Sequence, residues 1–541
     1  MKVRSRAFVH ARIFTSNELQ PWVEALFIRG NRIVAVGSDD EILRHVDADT
    51  EIVDAAGHLV LPGFIDCHTH LLMGGASLLS VDLSKARSQQ EFVAALNDYV
   101  GTHRRRWVTG GVWNQQNWTI PSLPRKEWID SFSEETPVFV SRMDYHMALA
   151  NSCALNLAGV SGNTPDPPGG LIERDPNTGN PTGILKDRAI DIVQAVIPPP
   201  SDDDMMDAGL AALAEARRYG VTSVHDIEYR NDFRSLQRLQ RDGKLTCRIY
   251  ARLPIESCEH LVKAEFEFGF GSDLLRIGSL KGFADGSLGS GTALFFDPYN
   301  DDTSSHGLAM ETLGNGKLRE WALLCDRNAL QLSIHAIGDR ANAMVLDIFQ
   351  EVTRANPSWD RRMRIEHAQH VRREDFHRFA DLHVIVSAQP YHLHEDGPWA
   401  AKKIGPDRLA TTYAFRSFLN AGVSLCFGSD WPVVTLNPLR GIYAAVTRSV
   451  AGGALPGGFV PEEKLTVEEA VKCYTSNAAF AAFQEKDLGS IEPGKIADIV
   501  ILSENIFEIP PDRIKEVTVL TTVFDGDIVY EDPSTPVRTS K

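Results

Sequence analysis

The chain has 541 residues, of which 43% are hydrophobic and 23% charged, the composition of an ordinary globular protein. Its 55 lysines and arginines face 72 aspartates and glutamates, for a formal net charge of −17; this disfavours nucleic-acid partners, because phosphate binding wants a basic surface. No run of ~18 apolar residues is present to span a membrane.

In chain order, the first sixty residues read as strands and turns, with short β-type runs at 25–29 and 32–36 around the hairpin signal Gly30-Asn31. Residues 1–14 alternate basic and apolar positions and lack the unbroken apolar run of a signal peptide. A long middle then alternates apolar strand-like runs with helical patterns, the mark of a parallel βαβ sheet. Eight strand candidates stand at 59–68, 221–226, 247–253, 276–283, 330–336, 363–367, 383–389 and 423–429. Helical patterns at 208–219, 318–328 and 340–351 separate several of them, and eight such units suggest a closed barrel of about 250 residues.

Between the first and second candidates lies a long excursion, residues 75–205, with Trp-rich and Pro/Gly-rich segments. It is expected to be an insertion near the barrel mouth. Within it, the knot Arg104-Arg105-Arg106 follows the amphipathic stretch 92–100 and reads as the polar end of a helix. The end of the chain returns to strand character at 497–502, 517–524 and 528–530, with Asp525-Gly526 as a second turn. The two strand-rich ends are expected to pair into one small β domain. Seven scattered cysteines, with no Cys-x-x-Cys pair, form neither a disulfide framework nor a zinc knuckle. A reducing, cytoplasmic setting is the expectation.

The sharpest local signal is Pro62-Gly-Phe-Ile-Asp-Cys-His-Thr-His70. On an extended strand, residues i and i+2 face the same way, so His68 and His70 can share one metal ion. The pair alone is a weak signal, and a second one, His392-Leu-His394, occurs after Gln389-Pro390, where a loop is expected. What distinguishes the first pair is its company. His335 ends the apolar run 330–334, His367 ends 363–366, and Asp430 follows 424–429. Catalytic groups of (β/α)8 enzymes gather at the C-terminal ends of strands, and four histidines and an aspartate fall at such ends.

Taken as a set, the motifs resemble the amidohydrolase superfamily, specifically its YtcJ-like (amidohydrolase family 3) branch. The matching stretches are Leu61-Pro-Gly-Phe-Ile-Asp-Cys-His-Thr-His70, Lys281-Gly-Phe-Ala-Asp-Gly-Ser-Leu-Gly-Ser-Gly-Thr-Ala293, Ser333-Ile-His-Ala-Ile-Gly-Asp339, Arg364-Ile-Glu-His-Ala-Gln369, Phe427-Gly-Ser-Asp-Trp-Pro-Val433 and Ile491-Glu-Pro-Gly-Lys-Ile-Ala-Asp-Ile-Val500. The resemblance implies an α/β chain: a metal-binding (β/α)8 TIM-type barrel over 59–487, a large insertion after its first strand, and a β-sandwich domain from 1–58 and 488–541.

The resemblance also implies roles. His68, His70, His335, His367 and Asp430 would hold one or two divalent ions, zinc in first place. Lys281, at the end of the fourth strand, would be carbamylated and bridge two ions. Asp430 would take a proton from water and return it to the leaving nitrogen. Trp113, His146, Asp285 and His392 are candidates for substrate binding, and the glycine-rich segment 286–291 for a tight loop at the mouth. The chain lacks a Gly-x-Ser-x-Gly elbow, so a serine nucleophile has no support.

The activity expected is hydrolysis of a non-peptide C–N bond (amide, N-acyl or N-formyl) in a small molecule. Deamination, or ester or lactone hydrolysis, stays open as a second chemistry of the same superfamily; Gly338-Asp339 after His335 speaks against deamination. A non-catalytic binding protein on the scaffold is the remaining alternative, disfavoured because every ligand position is kept. Aromatic candidates Trp113, Phe283, Tyr391 and Trp431 suggest a partly apolar pocket; a dedicated carboxylate clamp is not evident in the metal motifs, and Arg142 and Arg448 are the arginines that folding could bring there to supply one. The partner expected is a small-molecule substrate, with neither nucleic acid nor membrane; a homo-oligomer is compatible with this reading.

Overall fold

A computed structural model of the chain describes all residues except 1–3, 104–105, 116–117, 143–146, 168–169, 229–231, 454, 535–537 and 541. It divides into two compact units: one of Met1–Leu72 with Ala212–Lys541, the other Met73–Ala211.

In the first unit, eight parallel strands follow one another around a barrel: Phe64–Thr69, Val221–Ile227, Arg248–Pro254, Leu275–Phe283, Leu332–Ala336, Arg364–His367, Ile385–Ala388 and Leu425–Phe427. These strands are buried on both sides, which is why they read as near-continuous apolar runs instead of alternating patterns. Helices such as Lys317–Arg327 and Asp339–Ala355 return the chain between them.

The seam between the last and first strands is closed by a parallel bridge from Thr69 to Trp431 and by the Asp430 amide donating to the His68 carbonyl at 2.6 Å. Gly428 permits this approach: a Cβ there would lie 2.5 Å from the His68 amide nitrogen and 2.7 Å from Asp66 Oδ1.

The two chain ends form two further sheets. One has five strands, in the order Arg538–Ser540, Thr50–Asp54, Ser5–Val9, Ala25–Arg29, Arg32–Gly37; the other has six, in the order Asp527–Glu531, Val519–Phe524, Ile499–Leu502, Leu59–Pro62, Arg12–Phe14, Trp22–Val23. Both sheets hold strands from each end of the chain. Phe8, Leu26, Ile28 and Val53 of the first meet Ile13, Val60, Ile501 and Val523 of the second in one buried core, the arrangement of a sandwich. The sequence expectation of a first barrel strand at 59–68 is corrected here. Leu59–Pro62 pairs with Ile499–Leu502 and Arg12–Phe14 as a sandwich strand, and the barrel starts at Phe64 after Gly63. One apolar run thus serves two sheets, and periodicity alone gives no break between them.

The second unit carries a six-stranded mixed sheet, with Phe92, Leu96, Trp113, Trp118 and Val140 in its core. The helix expected before the arginine knot spans Gln89–Thr102; Arg104 and Arg105 lie outside the described residues. Among the described residues, no helix is long and apolar enough to cross a membrane.

Candidate metal centre

Ligand atoms of His68, His367 and Asp430 lie within 4.8 Å of one another, all three residues buried, at the C-terminal ends of the first, sixth and eighth strands. Nε2 of His68 is 3.3 Å and Nε2 of His70 is 3.0 Å from the same oxygen, Asp430 Oδ1. His335 ends the neighbouring fifth strand, its ring centre 4.5 Å from that of His367. Its Nε2 is turned to the Gly286 carbonyl at 3.0 Å. All four histidines and the aspartate of the sequence constellation therefore stand at one end of the barrel. Two of them, His367 and Asp430, have left-handed backbones, with φ of 73° and 61°. Such a conformation costs a non-glycine residue free energy and persists where its surroundings enforce it. For Asp430 the enforcement is the seam bond to the His68 carbonyl.

A layer of buried charge lies beneath these ligands, and here the sequence reading missed functional residues. Glu366, fully buried, has Oε2 2.5 Å from His68 Nδ1 and 2.9 Å from Arg252 Nη1, and Oε1 3.0 Å from Arg364 Nε. Burial raises the pKa of such a carboxyl, but the charges of Arg252 and Arg364 override it and hold Glu366 well below the usual carboxylate range. An anion at Nδ1 fixes the proton there, which leaves His68 Nε2 as the free lone pair facing Asp430. Gln389 does the same for His367, its Oε1 2.7 Å from Nδ1. Asp66 Oδ1 accepts from the His68 and Ser429 amides, both at 3.0 Å, and ties the two strands of the seam; burial pushes its pKa up to about 7. The available signal was charge inside apolar strands: Arg364 and Glu366, two apart on one strand, can be buried only as a pair.

The donor set suits a metal ion. Burial lowers the pKa of His68, and that of His367 well below the ordinary value, so both imidazoles offer lone pairs. Burial opposes the charged form of Asp430, but the imidazoles of His68 and His70 beside it hold it well below the usual range. Lys281, on the fourth strand, is buried with no hydrogen-bond partner for Nζ among the described residues, and Nζ sits 3.6 Å over the Phe283 ring. Burial, with the charges of Arg252 and Arg364, outweighs the pull of Glu366 and Asp430 and lowers its pKa to about 7. A neutral, unpartnered amine is the form that reacts with carbon dioxide, so Lys281 fits the carbamylated ligand that the resemblance implies.

The substrate candidates fare differently. His392 lies in the helix Pro390–Ile404, which corrects the loop expected there; Pro390 opens that helix, where its missing N–H costs nothing. The His392 ring stacks near His367, with centres 6.2 Å apart, and its Nε2 is 3.7 Å from Asp430 Oδ2. Asp285 is buried beside His335, its Oδ1 3.4 Å from His335 Nε2; its Oδ2 accepts from the amides of Leu294 and Gly338, both at 2.8 Å, and its Oδ1 from Ile337 at 2.9 Å, so the carboxylate also organises the loops around the fourth and fifth strands. Trp113 is core: it is fully buried in the second unit, its indole donating to the Val140 carbonyl at 3.0 Å. His146 lies outside the described residues. Arg448, an alternative carboxylate clamp, is spent on the carbonyls of Phe459 and Tyr413, both at 2.8 Å.

Comparison with known proteins gives a consistent picture. The family model described as "Amidohydrolase family" matches residues 51–530. The chain is 39% identical over 535 residues to the protein LONG AFTER FAR-RED 3 of Arabidopsis thaliana, covering 96% of this chain and 90% of that one. It is 27% identical over 577 residues to the N-substituted formamide deformylase of Arthrobacter pascens, covering 98% and 99%. A solved structure of an uncharacterized metal-dependent hydrolase from Pyrococcus furiosus superposes with a TM-score of 0.78 at 29% identity, covering 93% of this chain and 100% of that one.

Proposed function

The chain belongs to the amidohydrolase family, and from that premise we propose that it is a metal-dependent hydrolase of a non-peptide C–N bond, an amide, N-acyl or N-formyl bond of a small molecule. The observation that carries this reading is the convergence of His68, His367 and Asp430, with His70 on the same carboxylate oxygen and His335 beside them. Similarity to a deformylase of N-substituted formamides along nearly the whole chain favours the C–N bond over other targets.

These five residues would hold the ion, with zinc favoured by a set of imidazole and carboxylate donors, and Lys281 in carbamylated form would join them. A divalent ion in such a setting polarises a carbonyl oxygen and brings the pKa of water down to about 7. The protein's own groups do the rest. Asp430, kept ionised, accepts a proton from the attacking water and passes it to the amide nitrogen. A C–O bond forms, the C–N bond breaks, and the products are a carboxylic acid and an amine. Glu366 and Gln389 hold the imidazoles of His68 and His367 in the tautomer that faces the reaction.

A panel of N-formyl and N-acyl amines and anilides, with matched esters, tests this on zinc-loaded protein. Release of amine from at least one amide is expected. Cleavage of esters with no amide turned over would contradict the reading.

A further inference from the structure

Beside the metal centre, the helix Pro390–Ile404 and the segment after Asp430 enclose a cavity of about 300 Å³. Its walls include Tyr391, His392, Glu395, Asp396, Val433 and Thr435, with no lysine or arginine among the described residues that line it. His392 belongs to both places: it is 9% exposed, and its Nε2, without a hydrogen bond among the described residues, lies 3.7 Å from Asp430 Oδ2. A molecule reacting at Asp430 therefore has this cavity at its flank.

The chemistry of the walls is one-sided. Asp396 receives the Tyr413 hydroxyl at 2.7 Å and the Gln369 amide at 3.1 Å, both on Oδ2, which leaves Oδ1 without a donor among the described residues. Glu395 is exposed and has no ion-pair partner among the described residues. Arg440 acts on Tyr391, Arg448 is buried and engaged by backbone carbonyls, and His392 is the basic side chain that faces Asp396. Burial raises the Asp396 pKa against the opposing pull of His392 and of the bonds from Tyr413 and Gln369, and a cation in the cavity would offset what burial still costs. Val433 supplies an apolar flank for the chain that would carry such a cation.

We propose, building on the amide-hydrolysis reading, that this cavity receives the part of the substrate beyond the scissile bond and selects a positively charged alkylammonium group there, through Asp396 and Glu395. The substrate class is then an N-acyl or N-formyl amine that carries a second, free amine.

Calorimetric binding of n-pentylammonium and of 1-pentanol to the zinc-loaded protein tests the cavity without any turnover. The ammonium is expected to bind at least tenfold more tightly, and the doubly substituted Glu395→Gln, Asp396→Asn protein to lose most of that preference. If the double variant fails to fold, Glu395→Gln alone, on the surface, is expected to lower the ratio about threefold. Equal binding of the two probes, or an unchanged ratio in the variants, would overturn the proposal. Hydrolysis of monoformyl-diaminopentane against N-pentylformamide separates it from the reading beneath it. A tenfold preference for the cationic amide in kcat/KM supports both. Turnover of both amides without preference overturns the cavity's selectivity alone. If neither is cleaved while the ammonium preference in binding stands, the selectivity is supported and the hydrolysis reading falls.

Discussion

Glu366 and Asp430 grip His68 from opposite ends of its imidazole, with Oε2 of the first 2.5 Å from Nδ1 and Oδ1 of the second 3.3 Å from Nε2. The ring's tautomer, and hence the direction of its lone pair, follows from the buried anion behind it. Glu366→Gln is expected to weaken zinc binding by about 10–100-fold, the usual effect of losing such a support. Competition against a chelator of known affinity measures it, and an unchanged affinity would remove Glu366 from this role.

The seam of the barrel makes a second prediction. Gly428→Ala places a Cβ 2.5 Å from the His68 amide nitrogen, with backbone on the other side that cannot yield freely. A loss of about 1–3 kcal/mol in unfolding free energy is expected, together with weaker metal binding. Denaturant titration of the two proteins decides it; equal midpoints would mean that the seam is looser than the packing implies.

Lys281 gives stability a pH dependence in the metal-free protein. In the unfolded chain its amine has the ordinary pKa of 10.5, and in the fold burial lowers it to about 7. Above pH 10.5 the amine is neutral in both states and costs nothing. As pH falls from 10.5 towards 7, the unfolded chain takes up the proton first, so stability is lost across that window and the penalty levels off below 7. Lys281→Met, which cannot take a proton, is therefore expected to be the more stable protein at pH 6, by an amount on the order of a few kcal/mol. That advantage should shrink to nothing near pH 10.5. A difference that does not vary with pH would contradict the burial argument.

Carbamylation of the same residue has its own check. Native mass spectrometry of the zinc-loaded protein is expected to show the added mass of one carbon dioxide, absent in Lys281→Arg, with lower metal content in the variant. No added carbon dioxide on the unsubstituted protein, with equal metal content in the two, would leave Lys281 an ordinary buried amine.

Much of this site was legible because its parts repeat one relation, a ligand at the end of an apolar run. His335, His367 and Asp430 each end such a run, and the structure puts each at the same end of the barrel. The sandwich was legible from the hairpin at Gly30 and the turn at Asp525-Gly526, both realised. What escaped was long-range pairing. Nothing local says that Glu366 meets His68 or Arg252, because those partners come from three different strands. Likewise, a short His-x-His segment after Gln389-Pro390 looks like a loop until the helix it starts is packed beside Asp430. Asp285 was placed near the mouth by strand alternation, but nothing local foretold the three backbone amides its carboxylate accepts from, which come from loops that fold back over it.

The most direct measurement is a titration of chelator-stripped protein with zinc, following hydrolysis of an N-substituted formamide and bound metal in the same samples. Activity is expected to be absent at first and to rise in proportion to bound ion, while His68→Ala and His367→Ala bind less metal and stay inactive throughout. Stripped protein that cleaves the amide at the full rate, or His68→Ala protein with unaltered metal content and activity, would contradict the account.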